Sequence, residues 1–158
     1  MFREMRRSRQ ALTKDEMAAI LENCSTGVLA VNGDNGYPYT VPLNYIYDNG
    51  KIIFHCAVRG HKIESIKRND KVCFCIIEKG DVNGKAFNTD YRSIIIFGRA
   101  AILTDDDERR AVLEKIAAKY SAGFEKEAKQ EIEDCWNAVA LVEINIEQMT
   151  GKKGSELV

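Results

Sequence analysis

YPYTVPLNYIYDNGKIIFHCA, residues 37–57, decides the fold of this 158-residue chain. Over 37–47 the residues alternate, with Tyr37, Tyr39, Val41, Leu43, Tyr45 and Tyr47 on one side and Pro38, Thr40, Pro42, Asn44 and Ile46 on the other. A period of two is the mark of a strand with two unlike faces. Asn49-Gly50 is a strong hairpin signal, so KIIFHCA (51–57) is expected to return antiparallel to that strand. Pro38 and Pro42 are the only prolines of the chain, and both lie inside the strand. Proline donates no ladder hydrogen bond, which confines it to an edge or a bulge. Two readings fit: an edge protected from aggregation, or a place where neighbouring backbone groups stay free for a planar, hydrogen-bonding ligand.

Outward from this hairpin, TGVLAV (26–31), KVCFCIIE (71–78), YRSIIIFGRAAILT (91–104) and NAVALVEINIEQM (137–149) read as further strands, with Gly98 marking a bulge or bend. Asn32–Gly36 reads as a loose turn and KGDVNGKAFNTD (79–90) as a polar loop. Thr13-Lys-Asp-Glu16 matches a capping box, after which Met17, Ile20, Leu21 and Cys24 recur at helical spacing. GHKIESIKRND carries Ile63 and Ile66 and suits a short helix. Thr104–Asp107 opens another with acids in its first turn, and Val112, Leu113, Ile116, Ala117 and Tyr120 continue its apolar face. A fourth helix is predicted from about Glu125 to Asp134. The expected fold is mainly β with peripheral helices: six mostly antiparallel strands in a closed or partly closed barrel, which removes exposed edges.

The length fits one domain over residues 1–158, with a basic arm (1–10) and a tail (150–158). The 23 basic and 24 acidic residues leave a net charge of −1, which gives no overall attraction to nucleic acid or membrane. No apolar stretch of signal-peptide or membrane-spanning length appears. Five cysteines, an odd number without a CxxC pair, read as reduced thiols and point to the cytoplasm. The arginines of MFREMRRSRQ fit either a solvated or dimer-contacting arm or, as a more remote alternative, an RNA-binding barrel, but no stacking aromatics interleave with them.

Several chemistries are excluded. GxGxxG is absent, and Gly80–Ala86 is one residue short of a P-loop and lacks its hydroxyl. Cys73 and Cys75 share a strand face but lack further ligands for a metal. His55 and Cys56, as strand neighbours, diverge to opposite faces and form no thiol–imidazole couple. More informative is Gly60-His61-Lys62, which places two basic side chains at a helix start, where the dipole disfavours cations. Either both swing into solvent, or a bound phosphate turns those costs into gains through free amides and charge-assisted hydrogen bonds.

Met5-Arg6-Arg7, Tyr37-Pro38-Tyr39, Gly60-His61-Lys62, Tyr91-Arg92-Ser93 with Gly98, and Thr150-Gly151-Lys152 occur in an order and spacing that resembles the flavin-binding split-barrel proteins. These are related to pyridoxamine 5′-phosphate oxidase, and the nearest branch is the nitroimidazole-resistance (Nim-type) flavoproteins. The resemblance implies a six-stranded antiparallel split β-barrel, a homodimer with two FMN sites between its subunits. It implies that Val41, Pro42, Leu43, Asn44 and Tyr45 lie along the flavin ring and that His55, Cys56 and Ala57 contact the cofactor. His61 and Lys62 would hold its phosphate, and Ser93 would approach from the other subunit. His55 is the candidate catalytic residue, and no metal is implied. The tail GKKGSELV has neither the arginines nor the proline of true pyridoxamine phosphate oxidases, which argues against vitamin B6 oxidation.

The expectation is therefore a cytoplasmic FMN-binding oxidoreductase acting on a small, flat substrate such as a nitroaromatic, with NADH or NADPH as donor. Haem or a deazaflavin in the same cleft, and a flavin-binding or flavin-sensing module without turnover, are the alternatives.

Overall fold

The structure, a computed structural model, describes residues 2–157, the Glu156 side chain excepted. Seven strands follow in chain order: β1 (Thr26–Asn32), β2 (Pro38–Asn44), β3 (Ile46–Asp48), β4 (Lys51–Ala57), β5 (Lys71–Asn83), β6 (Asn88–Ile102) and β7 (Val139–Lys153). Among the described residues four α-helices accompany them: α1 (Lys14–Asn23), α2 (His61–Arg68), α3 (Asp106–Tyr120) and α4 (Glu125–Cys135). The strands form one antiparallel sheet in the order β2-β1-β5-β6-β7-β4-β3. β2 and β3 are thus the two opposite edges, although only Tyr45 separates them in sequence. A sheet whose edges are joined by one residue must curl on itself, and the result is a split barrel.

That junction corrects the expected continuous strand over 37–47 and raises the strand count from six to seven. Before Tyr45 the chain pairs with β1, Leu43 opposite Gly27; after it, Ile46 pairs with Ile53 of β4. Tyr45 is buried at the corner, its hydroxyl donating to Leu21 O at 3.1 Å and its ring edge-on to Phe74. Replacing it by Ala is expected to cost about 3–5 kcal/mol, the range for large aromatic truncations. The Asn49-Gly50 turn forms as expected, with φ values of 49° and 78°, the double left-handed geometry that a tight hairpin requires.

Two apolar clusters hold the molecule. The barrel interior contains Leu29, Phe54, Phe74, Ile94, Ile96 and Val142, and α1 and α2 add Ile20, Leu21, Ile63 and Ile66 to it. Outside the barrel, Ile46, Ile53 and Leu141 pack under Val112, Leu113 and Ile116 of α3 and Ile132 of α4. Each fully buried side chain of this kind contributes about 1.5–3 kcal/mol. Of the three consecutive isoleucines in β6, Ile94 and Ile96 point inward and only Ile95 faces out.

Residues 79–90 are not the loop that their polarity implied. β5 and β6 continue as a hydrogen-bonded ribbon as far as Asn83 opposite Asn88. The tail is also more ordered than expected. β7 runs on to Lys153, and Lys152 bridges Ala11 beyond the reach of β4. The expected irregularity at Gly98 is present as a register shift after Phe97, where a Cβ would meet Asn145 O at 2.4 Å. No described helix is long and apolar enough to cross a membrane.

The Thr13–Glu16 capping box forms in full and becomes an ionic junction. One Glu16 carboxylate oxygen accepts from Thr13 N at 2.7 Å, and the other accepts from Arg92 at 3.2 Å and from Lys153 at 3.1 Å. The Thr13 amide first, and then Lys153, hold the Glu16 carboxyl down at about 2, against an ordinary value of 4.5. A depressed carboxyl stabilises the fold above its unfolded value and loses that contribution as pH falls through the folded one. Denaturant midpoints measured between pH 5 and 2 should therefore fall more steeply for the native chain than for Glu16→Gln; parallel profiles would contradict this.

Candidate functional site

The second edge of β4 builds the site. β3 covers only Lys51–Ile53 of β4, so Phe54–Ala57 has no strand on that side. β2, leaving the corner at Tyr45, forms the other lip of this seam. Pro38, Thr40, Pro42 and Asn44 share one backbone side, and two of the four have no N–H, which keeps the lips from zipping together. The prolines therefore act at an edge, in agreement with the sequence.

The seam opens into a cleft of about 960 Å³. Val41, Pro42, Leu43 and Asn44 line it from β2, His55, Cys56 and Ala57 from β4, and Lys62 from α2. Eight of the eleven predicted site residues are thus brought together. His55 lies exposed on the outward face of β4, whereas Cys56 turns inward against the barrel core. The predicted divergence of these two is what the strand shows. Burial pushes the Cys56 thiol up, with Lys62 pulling the other way, so a thiolate nucleophile is disfavoured there.

Tyr45, His61 and Ser93 do not line the cleft. Tyr45 is spent on the corner. The His61 ring lies against Tyr39 with centroids 4.1 Å apart and planes tilted by 31°, its Nε2 lies 3.6 Å from Asp34, and Asp34 accepts a hydrogen bond from Arg68 at 2.6 Å. His61 therefore fastens α2 to the 34–36 turn, and Lys62 alone of the pair faces the cleft. Ser93 is on the outward face of β6, opposite Ile77 and Lys152.

The helix start itself is open. Thr13 and Asp105 cap α1 and α3 through their side chains, but no side chain caps α2. Its N-cap, Gly60, has φ of 129°, a conformation that L side chains rarely adopt. The first amides of a helix have no intrahelical acceptor, so α2 offers donors beside the Lys62 ammonium. Those groups suit a phosphate, and the apolar β2 and β4 lips suit a flat ring, so the donor set fits FMN.

The far wall was not visible in the sequence. Leu113, Ile116, Ala117 and Tyr120 of α3 and Phe124, Glu127, Ala128 and Glu131 in and around α4 complete the cleft. The α3 periodicity identified an apolar face but not which part of it would remain uncovered. Lys119 and Tyr120 fix this wall to the corner. The Lys119 ammonium donates to Cys24 O at 2.9 Å and to Tyr45 O at 3.3 Å, and the Tyr120 hydroxyl donates to Ser25 O at 2.9 Å. Burial lowers the pKa of Lys119 and raises that of Tyr120. Among the described residues, no three His, Cys, Asp or Glu side chains form a group that could hold a metal ion.

The curled seven-stranded antiparallel sheet with a cleft at its seam defines a split-barrel protein of the pyridoxamine 5′-phosphate oxidase type. The family model described as pyridoxamine 5′-phosphate oxidase matches residues 13–153, and the chain belongs to that family. A candidate 5-nitroimidazole antibiotic resistance protein from Bacteroides thetaiotaomicron is similar in structure, with TM-score 0.72 and 22% identity over 91% of this chain and 86% of that one. A conserved hypothetical protein from Mycobacterium tuberculosis has TM-score 0.82 and 19% identity, covering 95% of this chain and 90% of that one. A FAD-binding protein from Mesorhizobium loti has TM-score 0.66 and 25% identity, covering 92% of this chain and 96% of that one. Among curated proteins, none matches this chain.

The assignment of His61 to the α2 anchor predicts a stability effect. His61→Ala should lower unfolding free energy by about 0.5–1.5 kcal/mol, the worth of an aromatic pair in contact. Urea denaturation measures it, and an unchanged midpoint would remove His61 from that role.

Proposed function

We propose that the protein is an FMN-dependent oxidoreductase that reduces a small, flat organic acceptor, such as a nitroaromatic, with NADH or NADPH as donor. The observation that carries this reading is the convergence of the β2 lip, the β4 lip and Lys62 on one cleft at the seam of the barrel. Family membership and the FAD-binding relative support a flavin, and the open start of α2 beside Lys62, the one Lys or Arg among the described residues that line the cleft, favours FMN. The chemistry that FMN supplies when bound is two-electron transfer between the nicotinamide and the acceptor.

The chain's own groups have separate tasks. Lys62 and the first amides of α2 bind the phosphate, charge against charge. Val41 and Leu43 give an apolar bed to the ring, and Pro42 withholds an N–H there. α3 and α4 exclude water from the opposite side and shape the space left for the acceptor. His55, exposed on the β4 lip, is placed to donate or accept a proton at the reacting molecule through an imidazole nitrogen. In this reading a second copy of the chain sits on the outward face of the sheet, where it brings its Ser93 toward the flavin.

Lys62→Glu should weaken FMN binding by about 100-fold or more, since a lost charge-assisted hydrogen bond of about 1.5–3 kcal/mol and a new repulsion together reach the roughly 2.8 kcal/mol that two tenfold steps require. Riboflavin, which lacks the phosphate, should bind the native chain weakly and respond little to the same change. Flavin fluorescence titrations of both proteins with both ligands decide it, and an equal loss for the two ligands would make Lys62 a fold residue.

His55→Ala should retain FMN yet lose nicotinamide-dependent turnover by about 10²–10⁴-fold, the usual contribution of a general acid or base. Full activity in a flavin-loaded variant would reduce His55 to a packing residue. A chain that binds FMN but never turns over would be a flavin-binding module instead.

A further inference from the structure

Two features of the α4 wall of the cleft do nothing for the fold. The first is Phe124 at the N-cap of α4, a position that Ser, Thr, Asp or Asn ordinarily fill. Thr13 and Asp105 cap α1 and α3 in that way, whereas α4 has no side-chain cap. Gly123, with φ of 87°, turns the chain just ahead of it, and the Phe124 amide donates to Ser121 O at 3.0 Å. The Phe124 ring lies on the cleft, 62% exposed, and belongs to neither apolar cluster.

The second feature is a pair of carboxylates. Glu127 and Glu131 are four residues apart, hence on one side of α4, and both line the cleft. Lys126, Lys129 and Glu133 line a separate hollow instead, where Glu133 pairs with Arg110. The helix dipole favours an acid at Glu127, in the first turn, but not at Glu131, past the middle of the helix. Among the described residues, neither Glu127 nor Glu131 has an ion-pair partner. Glu131 accepts from the Cys135 thiol at 3.0 Å, and a neutral donor leaves its charge uncompensated. The charges of the cleft are thus divided, with the Lys62 cation on α2 and two carboxylates on α4. Small-molecule sites span about 300–1,000 Å³. At about 960 Å³ this cleft is at the upper end, with room for a second flat molecule beside a cofactor.

We propose that α4 carries the acceptor subsite, in which Phe124 offers its ring to a flat acceptor while Glu127 and Glu131 select one that bears a positive charge. A protonated amine or a cationic heteroaromatic would be preferred, and a carboxylate or phosphate rejected. This rests on the flavin reading above and gives its acceptor a charge class. An anionic acceptor would meet two uncompensated like charges, and that repulsion is stronger in a partly apolar cleft than in bulk water. A cationic one is drawn to the same carboxylates and to the face of the Phe124 ring.

Three probes that share one ring test the subsite: protonated 4-nitrobenzylamine, neutral 4-nitrobenzyl alcohol and anionic 4-nitrobenzoate. Isothermal titration calorimetry of the FMN-loaded protein at neutral pH should show the amine binding more tightly than the benzoate by about tenfold or more, with the alcohol between them. Added salt should narrow that gap. The double variant Glu127→Gln, Glu131→Gln should bring the amine and the benzoate within about twofold of each other. Phe124→Ala should weaken all three by about 2–10-fold and keep their order. These side chains are exposed, so far-UV circular dichroism should match that of the native chain. Equal affinities for the three probes, or a gap that the double variant leaves unchanged, would overturn the charge selection, and unchanged affinities in Phe124→Ala would remove its ring from the subsite. FMN affinity, measured in parallel, reads the flavin site separately. If the native chain takes up no FMN the flavin reading falls, and the same titrations on the FMN-free protein decide the α4 subsite alone.

Discussion

One residue, Tyr45, joins the two edges of the sheet, and this connection constrains everything else. Because β2 pairs with β1 and β3 pairs with β4 at the opposite end of the strand order, the sheet cannot lie open. The corner is held from three directions. The Tyr45 hydroxyl reaches Leu21 O, its ring meets Phe74, and its carbonyl accepts from Lys119 and Tyr120. The same clamp that closes the barrel also fixes α3, so the fold and one wall of the cleft depend on the same few contacts.

The seam follows from that arrangement. β3 is too short to cover β4 beyond Ile53, and the prolines of β2 withhold donors from the other lip. What remains is a pair of strand ends that do not meet, roofed by α3 and α4 and flanked by the uncapped start of α2. Fully closed barrels fill their interior with side chains. This one keeps its interior filled and leaves a cleft at the seam, where unpaired backbone and the Lys62 side chain are found together.

Much of this was legible in the sequence because it was local. The Asn49-Gly50 turn, the Thr13 capping box and the alternation of β2 each declare themselves within a few residues. The corner at Tyr45 was not legible, since the alternation runs through it undisturbed and only the change of pairing partner marks the break. The ribbon at 79–90 escaped for the opposite reason: neither of its faces enters the core, so no buried residues impose a period of two. Gly60-His61-Lys62 announced a helix start with cations, but nothing local said that Tyr39 and Asp34 would claim His61 and leave Lys62 to the cleft. The α3–α4 wall depended on how two helices share the outside of the sheet, which their own periodicity does not encode.

In the proposed function the two lips of the seam and the start of α2 act as one ligand site. Hydrogen exchange with and without added FMN tests it directly, because the amides of an open seam are poorly protected unless something bridges it. FMN is expected to slow exchange together in peptides covering residues 40–44, 54–57 and 60–64, while the β5–β6 hairpin tip at 83–88 is unaffected. Protection confined to one of those three segments, or appearing elsewhere in their place, would contradict it.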